Sequence, residues 1–447
     1  MTPSSHKNAE NTEKLYKELL SQTPGHQVTR SPGHQVTETP DGDGCRVTGD
    51  RRIAFLLSQF PETHETFILR EFVGMKNAGM DFEIYSLKRC RDAIVHPEAE
   101  GFIARTTYPS MIGPVSSMQY AVCSPIKFLK AYGVVLRHIL NPLNFLKANV
   151  VFVRSLYFAR LMKKNNIGHI HAHWATMPTT SAEIISTLLD IPFSFTAHAW
   201  DIFLSKKQDL KKKIKKAQYI ITCTRYNRHY VKGNLGKELG EKFIVNYHGL
   251  DLEEFQMRKP RPREDNLILG IGRLVEQKGF EYLIKACGIL KRKAINFHCV
   301  IVGDGPWKQG LGDRVLALGL KDNVTFIGST SQEQIKDLLN KASVFAAPCV
   351  VAKNGDRDGI PNVILEAMAS GVPVVATNVS GLPEVIVDNQ TGLVAQPKDP
   401  MTLAKAIEKV LKKDVCVDRL TANARRLIER EFDIRKNAEE LINILGK

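Results

Sequence analysis

No stretch of this 447-residue chain offers the ~20 consecutive apolar residues that a helix needs to cross a bilayer. The opening residues, Met1-Thr2-Pro3-Ser4-Ser5-His6-Lys7, lack the apolar core of a secretory signal, so the chain is expected in the cytoplasm. None of the eight cysteines forms a C-x-x-C pair, which removes the spacing of a zinc site or a redox motif and leaves reduced structural thiols as the expectation. Zinc-finger spacing and the aromatic signature of RNA-binding sheets are also missing, so no nucleic-acid partner is expected. The net charge of +15 still asks for an acidic partner, either phosphorylated substrates or an anionic membrane face.

Two features could serve a membrane face. Lysines gather at Lys206-Lys207, Lys211-Lys212-Lys213 and Lys215-Lys216. Residues 123–149 interleave Lys127, Lys130, Arg137, His138 and Lys147 with Phe128, Leu129, Val134, Val135, Leu136, Ile139, Leu140, Phe145 and Leu146. A solvated helix face explains the first and packing beneath a helix layer the second. Docking of a cytoplasmic protein at the periphery of an inner membrane explains both.

The length exceeds what one hydrophobic core serves, and two domains of roughly 200 residues are expected. Residues 1–50 stand apart: Thr23-Pro24-Gly25-His26-Gln27-Val28-Thr29 recurs as Ser31-Pro32-Gly33-His34-Gln35-Val36-Thr37. A polar repeat of this kind buries too little surface to offset its ordering entropy, so a disordered tail is expected, with at most a brief helix from Asn8 to Leu20. From Ile53 onward, short apolar runs alternate with helical periodicity. Strands are predicted at 53–57, 82–87, 169–173, 193–197 and 219–222, then at 267–272, 297–302, 324–327, 344–347 and 372–376. Helices are predicted at 66–78 and 280–292, and residues 123–165 read as helical with breaks at Pro125 and Pro142. The fold class is therefore α/β: two Rossmann-like domains with parallel sheets facing across a cleft, at 51–250 and 251–430, followed by a terminal segment at 431–447. Ligands of such sheets sit beyond the carboxyl ends of the strands.

Three motifs carry chemistry. In Asp358-Gly359-Ile360-Pro361-Asn362-Val363-Ile364-Leu365-Glu366, Pro361 suits the first turn of a helix, and the backbone donors of Gly359 and Ile360 would face a phosphate or sugar at its positive end. Glu366 lies eight positions after Asp358 among apolar neighbours, so its carboxylate is expected to be partly buried and in need of partners. In Gly272-Arg273-Leu274 with Lys278-Gly279, two cations follow a strand and can converge on a diphosphate. Gly270-x-Gly272 lacks the third glycine of a dinucleotide fingerprint, so no nicotinamide cofactor is expected. In Phe195-Thr196-Ala197-His198-Ala199-Trp200-Asp201, a histidine just past a strand belongs at the cleft. His171 and His173 raise a metal alternative, but no metal site is assigned.

Together these residues resemble the family 4 retaining glycosyltransferases of the GT-B fold, over about residues 51 to 447. Asp358 to Glu366 is similar to the family's Glu-x7-Glu motif. Gly381-Leu382-Pro383-Glu384 and Gly392-Leu393-Val394 follow in the family's order. Phe60-Pro61 with Glu65-Thr66-Phe67-Ile68 resembles a subgroup that builds bacterial exopolysaccharides, including colanic-acid-type enzymes.

The resemblance implies transfer of a hexosyl group from a nucleoside-diphosphate sugar to a saccharide or lipid-linked acceptor, with no further cofactor. It implies that Arg273 and Lys278 neutralise the leaving diphosphate, that Glu366 holds the ribose, and that Asp358 holds the transferred sugar. His198 would position donor or acceptor, and the terminal helix would cross back onto the first domain. Asp358 departs from the family's first Glu by one methylene, and Ser58-Gln59-Phe60-Pro61-Glu62-Thr63 lacks the glycines that many relatives place there. A sugar-nucleotide epimerase, a phosphorylase or a non-catalytic nucleotide-sugar-binding protein could use the same fold.

Overall fold

Ile53-Ala54-Phe55-Leu56-Leu57 is apolar at every position because both faces of its strand are covered. Ala54 and Leu56 enter one core, while Ile53, Phe55 and Leu57 enter another on the opposite side. This computed structural model describes residues 52–62, 66–90, 97–110, 119–257 and 266–446. The N-terminal repeat, the short helix expected before it and Glu65 lie outside the described residues.

The first sheet has seven strands: β1 (Arg52–Leu57), β2 (Phe82–Ser86), β3 (Thr106–Thr107), β4 (Ile167–His173), β5 (Phe193–Ala197), β6 (Ile220–Thr222) and β7 (Phe243–Val245). Their order is β3-β2-β1-β4-β5-β6-β7, and every pairing is parallel. The second sheet has six: β8 (Leu267–Ile271), β9 (His298–Val302), β10 (Val324–Gly328), β11 (Val344–Ala347), β12 (Val374–Thr377) and β13 (Leu393–Ala395). Its order is β10-β9-β8-β11-β12-β13, again all parallel. The two sheets are the expected pair of Rossmann-like layers. Chain order reverses between β1 and β4 and between β8 and β11, so each sheet has a crevice at the carboxyl ends of those strands.

Nine helices are needed to place the site: α1 (Thr66–Asn77), α2 (Pro125–Leu136), α3 (Pro142–Lys164), α4 (Met177–Leu189), α5 (Lys207–Lys216), α6 (Arg225–Leu235), α7 (Phe280–Arg292), α8 (Asn362–Ala369) and α9 (Ile434–Leu445). Pro125 and Pro142, read as breaks, are first residues of helices, where a missing N–H costs nothing. The lysine cluster on α5 is not a uniform solvated face. Lys213 is buried and donates to the carbonyls of Ala175 and Thr176, each at 3.0 Å, because the turn after β4 leaves those oxygens without strand partners.

The terminal helix α9 does cross to the first sheet. Ala438, Leu441, Ile444 and Leu445 share a core with Ile68, Phe72 and Met75 of α1. Two backbone passages lie side by side at the crossing. Leu250 N–H donates to Phe432 O at 2.7 Å, and Ile434 N–H to Leu250 O at 3.1 Å. Among the described residues no helix is long and apolar enough to cross a membrane.

Candidate active site between the two sheets

On the second sheet, β8 ends at Ile271 and Gly272 turns the chain into the crevice. Gly272 has φ 155°, and a Cβ built there would lie 3.2 Å from Cδ and Cε of Lys278. The missing side chain thus makes room for the lysine stem to fold back along the strand end. Lys278 Nζ stands 3.0 Å from Asp358 Oδ2, with both side chains largely shielded. Burial alone would lower the lysine's pKa, but the Asp358 carboxylate outweighs it and the net shift is upward. Arg273 is exposed and makes no ion pair among the described residues. Of the two expected cations, Lys278 is therefore held in place by Asp358, while Arg273 is exposed to solvent.

α8 begins at Asn362, with Pro361 as its extended cap at ψ 129° rather than in its first turn as expected. The Asp358–Ile360 loop is accordingly one residue further from the helix. Gly359 is buried against the first sheet: a Cβ there would lie 3.4 Å from Thr224 Cγ2 and 3.7 Å from Cys223 Sγ. Ile360 is half-buried beside it. Glu366 is 4% exposed, as its apolar flanks led us to expect. Its partner here is Arg70 on α1, with Nη2 at 3.1 Å from Oε1. Burial raises the pKa of Glu366, and Arg70 opposes that shift.

His198, from the first sheet, sits at the end of β5 under a stack of rings. Trp174 lies 4.2 Å from it between centroids, Phe67 4.9 Å and His248 5.2 Å. Asp201 does not touch the imidazole. Its carboxylate accepts from the backbone N–H groups of Ala175, His198 and Ala199 at 2.8, 3.0 and 3.0 Å, and so fixes the turn that carries His198. Burial lifts the Asp201 pKa to about 6 against these bonds.

The imidazole belongs instead to a chain of three groups. Glu71 Oε1 lies 2.7 Å from His248 Nδ1, and His248 Nε2 lies 3.1 Å from His198 Nδ1. Burial would lower the His248 pKa, but Cys223 and Glu71 outweigh it and hold it at about 10. His198 is driven well below the usual range by burial and by the neighbouring His248. A protonated His248 donates from both nitrogens, so a neutral His198 accepts at Nδ1 and carries its proton on Nε2. That Nε2 is buried and has no partner.

Ligand atoms of His198, Cys223 and His248 all lie within 4.8 Å of one another, a grouping with metal-binding chemistry. Here the imidazole nitrogens between them are engaged with each other and with Glu71, and Cys223 Sγ donates to His198 O. His171, the other suspected ligand, is bonded through both nitrogens to Ser194 and Thr196 at 2.8 Å each. His173 shares its face of β4 and stacks on Phe55.

The two lobes are clasped by residues that sequence reasoning left without roles. Glu384 of the second lobe accepts from Arg225 and Tyr226 N–H, both at 2.9 Å, and from Tyr247 Oη at 2.7 Å. It thereby supplies an anion to the positive end of α6. Arg357 donates to Tyr226 Oη at 3.0 Å and lies 4.6 Å over the Phe203 ring. Glu384 stood in a recognised segment, Gly381-Leu382-Pro383-Glu384, and His248 in a run just after β7. Glu71 and Arg70 carried no signal beyond a polar position in an amphipathic helix.

Comparison with known proteins follows the same division. A glycosyl transferases group 1 model matches residues 252–427, and a glycosyltransferase family 4 model matches residues 119–254. The chain is similar to the putative colanic acid biosynthesis glycosyltransferase WcaL of Salmonella typhimurium, 25% identical over 88% of this chain and 99% of that one. The amylovoran biosynthesis glycosyltransferase AmsK of Erwinia amylovora is 34% identical, over 46% of this chain and 51% of its own. Among solved structures, HepE of Anabaena in complex with UDP superposes with a TM-score of 0.66 at 17% identity, covering 88% of this chain and 99% of that one. Sucrose-phosphate synthase from Thermosynechococcus elongatus gives 0.67 at 18% identity, covering 88% and 98%.

Proposed function

We propose that this chain, a glycosyltransferase of GT-B architecture made from a family 4 and a group 1 glycosyltransferase domain, transfers a hexosyl group from a nucleoside-diphosphate sugar to an acceptor hydroxyl in polysaccharide synthesis. The observation that supports this reading is the Lys278–Asp358 ion pair just beyond the carboxyl end of β8, at the β8–β11 reversal, with Arg273 on the same turn and α8 starting after the Asp358 loop. As the sugar–phosphate bond breaks, negative charge grows on the diphosphate. Two cations and a helix N-terminus receive it, an electrostatic form of catalysis. HepE of Anabaena has been solved with UDP and with UDP-glucose, which supports a nucleotide-sugar donor. The relatives' names, for colanic acid and amylovoran biosynthesis, support a saccharide acceptor.

Glu366 binds the ribose once Arg70 has been displaced. Asp358 and the Nε2–H of His198 face the transferred sugar, the first as acceptor and the second as donor. Retention of configuration rests on the likeness of the Asp358–Glu366 segment to the family motif. The deciding experiment incubates the protein with a panel of labelled nucleotide sugars, follows release of the nucleoside diphosphate, and assigns the anomer of the product by NMR. A folded protein that consumes none of them and binds neither UDP nor GDP would end this reading.

A further inference from the structure

Of the eighteen large hydrophobic side chains that stand exposed among the described residues, ten fall between Val122 and Val153, one just before α2 and nine on α2, α3 and the turn joining them. A monomer seldom leaves so much apolar surface in one place without a partner. Leu140, in the turn, is 93% exposed, and Leu143 and Leu146 follow on the first turns of α3. The charge carried by this stretch of chain has one sign. Between Glu100 and Glu183 the chain contains no Asp or Glu, against nine Lys and Arg. Lys127 and Arg137 reach out of the segment to Asp190 and Glu183, whereas Lys130 and Lys147 have no ion-pair partner among the described residues.

The direction of this hairpin follows from two hydrogen bonds. Arg52, at the amino end of β1, donates to Asn165 O just past the end of α3, at 3.0 Å. Arg154, midway along α3, donates to Leu87 O just past the carboxyl end of β2, at 2.8 Å. The sheet therefore spans only the second half of the helix. Residues 142–153 run on past the carboxyl ends of the strands by about 18 Å, at 1.5 Å per residue. Those strand ends are also where the cleft opens. The tip of the hairpin and the mouth of the active site thus lie toward the same end of the first sheet.

We propose that the tip from Arg137 to Leu146 seats in an anionic bilayer surface, with Leu140 and Leu143 among the acyl chains and Lys130 and Lys147 at the headgroups. Lys130 and Lys147, without ion-pair partners among the described residues, flank a leucine-rich tip and complement such a surface, and helices not apolar enough to span a bilayer lie in its interface. Docking in this way turns the cleft toward the headgroups, where a lipid-linked acceptor is held. This last step rests on the glycosyltransferase reading of the cleft; the docking itself does not.

The test is co-sedimentation of the full chain with vesicles of phosphatidylcholine alone and of phosphatidylcholine mixed equally with phosphatidylglycerol. Binding is expected only with the second, and should fall as salt rises. The pair Leu140→Asp and Leu143→Asp, and separately the pair Lys130→Glu and Lys147→Glu, should each reduce binding about tenfold or more, the first by putting charge among the acyl chains and the second by reversing the attraction to the headgroups. Leu316→Asp, an exposed site on the second lobe, should leave it unchanged. Unchanged melting and unchanged UDP titration in the tip variants would show that they fold. The proposal is overturned if the parent protein stays in the supernatant at low salt, or if the tip variants sediment as well as the parent. It is equally overturned if the parent ignores vesicles and the tip variants convert a dimer to a monomer, which would make the face a contact between copies. A parent that sediments but binds no nucleotide keeps the docking and overturns the function; one that turns over donor without sedimenting does the reverse.

Discussion

Arg70 and Glu366 stand 3.1 Å apart although 296 residues separate them in the chain, and the pair joins α1 of the first lobe to α8 of the second. A carboxylate buried to this degree requires a partner, and the two lobes supply one from opposite sides. Arg70→Ala should destabilise the protein by about 3–5 kcal/mol in urea unfolding, because it leaves that buried carboxylate without its cation. Arg70→Met combined with Glu366→Gln should recover most of the loss. Glu366→Ala should weaken UDP or GDP binding by ~1–3 kcal/mol in calorimetry, whereas Arg70→Ala should not. An equal loss in both would mean that the pair holds the lobes together and has no part in nucleotide binding.

The Glu71–His248–His198 chain predicts a pH signature. His248 is raised from 6.5 to about 10 on folding, so its contribution to stability is complete below pH 6.5 and is lost as pH climbs through about 10. Glu71→Gln removes part of the cause. Its destabilisation should be largest below pH 6.5 and should fade toward pH 10, read by urea unfolding across that range. Turnover of Glu71→Gln should also fall, since His198 is no longer held with its proton on Nε2. A loss of stability independent of pH would show that Glu71 is only a packed polar residue.

Arg273 offers the cleaner test of the proposed diphosphate site because it is exposed and has no ion-pair partner among the described residues. Arg273→Ala should lower kcat by about a hundredfold while changing stability by less than ~0.5 kcal/mol. Lys278→Arg should not restore what Lys278→Ala loses, since the stem passes 3.2 Å from where a Gly272 Cβ would sit and leaves little room for a guanidinium. Activity should survive EDTA. Full loss on chelation, reversed by manganese or magnesium, would require a metal in the mechanism.

Glu384 predicts an interdomain effect. Glu384→Ala strips an anion from the start of α6 and frees Tyr247, so the lobes should separate more readily. Small-angle scattering of the nucleotide-free variant should give a larger radius of gyration than the parent, and KM for the donor should rise more than kcat falls. An unchanged scattering profile would reduce Glu384 to a local helix cap.

Much of the architecture was legible because its signals are local. Phe193–Ala197, Val344–Ala347 and Phe280–Arg292 appear with the bounds read from periodicity, since short apolar runs and amphipathic spacing are properties of the segments themselves. Glu366 was legible as buried for the same reason: its neighbours in the chain are apolar whatever lies across from it. Pro361 was placed one residue too far into α8, because a cap and a first turn differ by a ψ angle that its residue type does not set.

What the chain determined alone is thus the alternation of strands and helices and the clustering of glycines and charges beyond the strand ends. Tertiary structure decided the pairings. Lys278 with Asp358, Arg70 with Glu366, Glu384 with the start of α6, and Glu71 with His248 join residues whose encounter depends on strand order and on the closure of two lobes. The apolar residues of α2 and α3 show the same limit. Periodicity marks them as one face of a helix, but only the packing of α4 against one side, with no described element against the other, distinguishes a core from a surface.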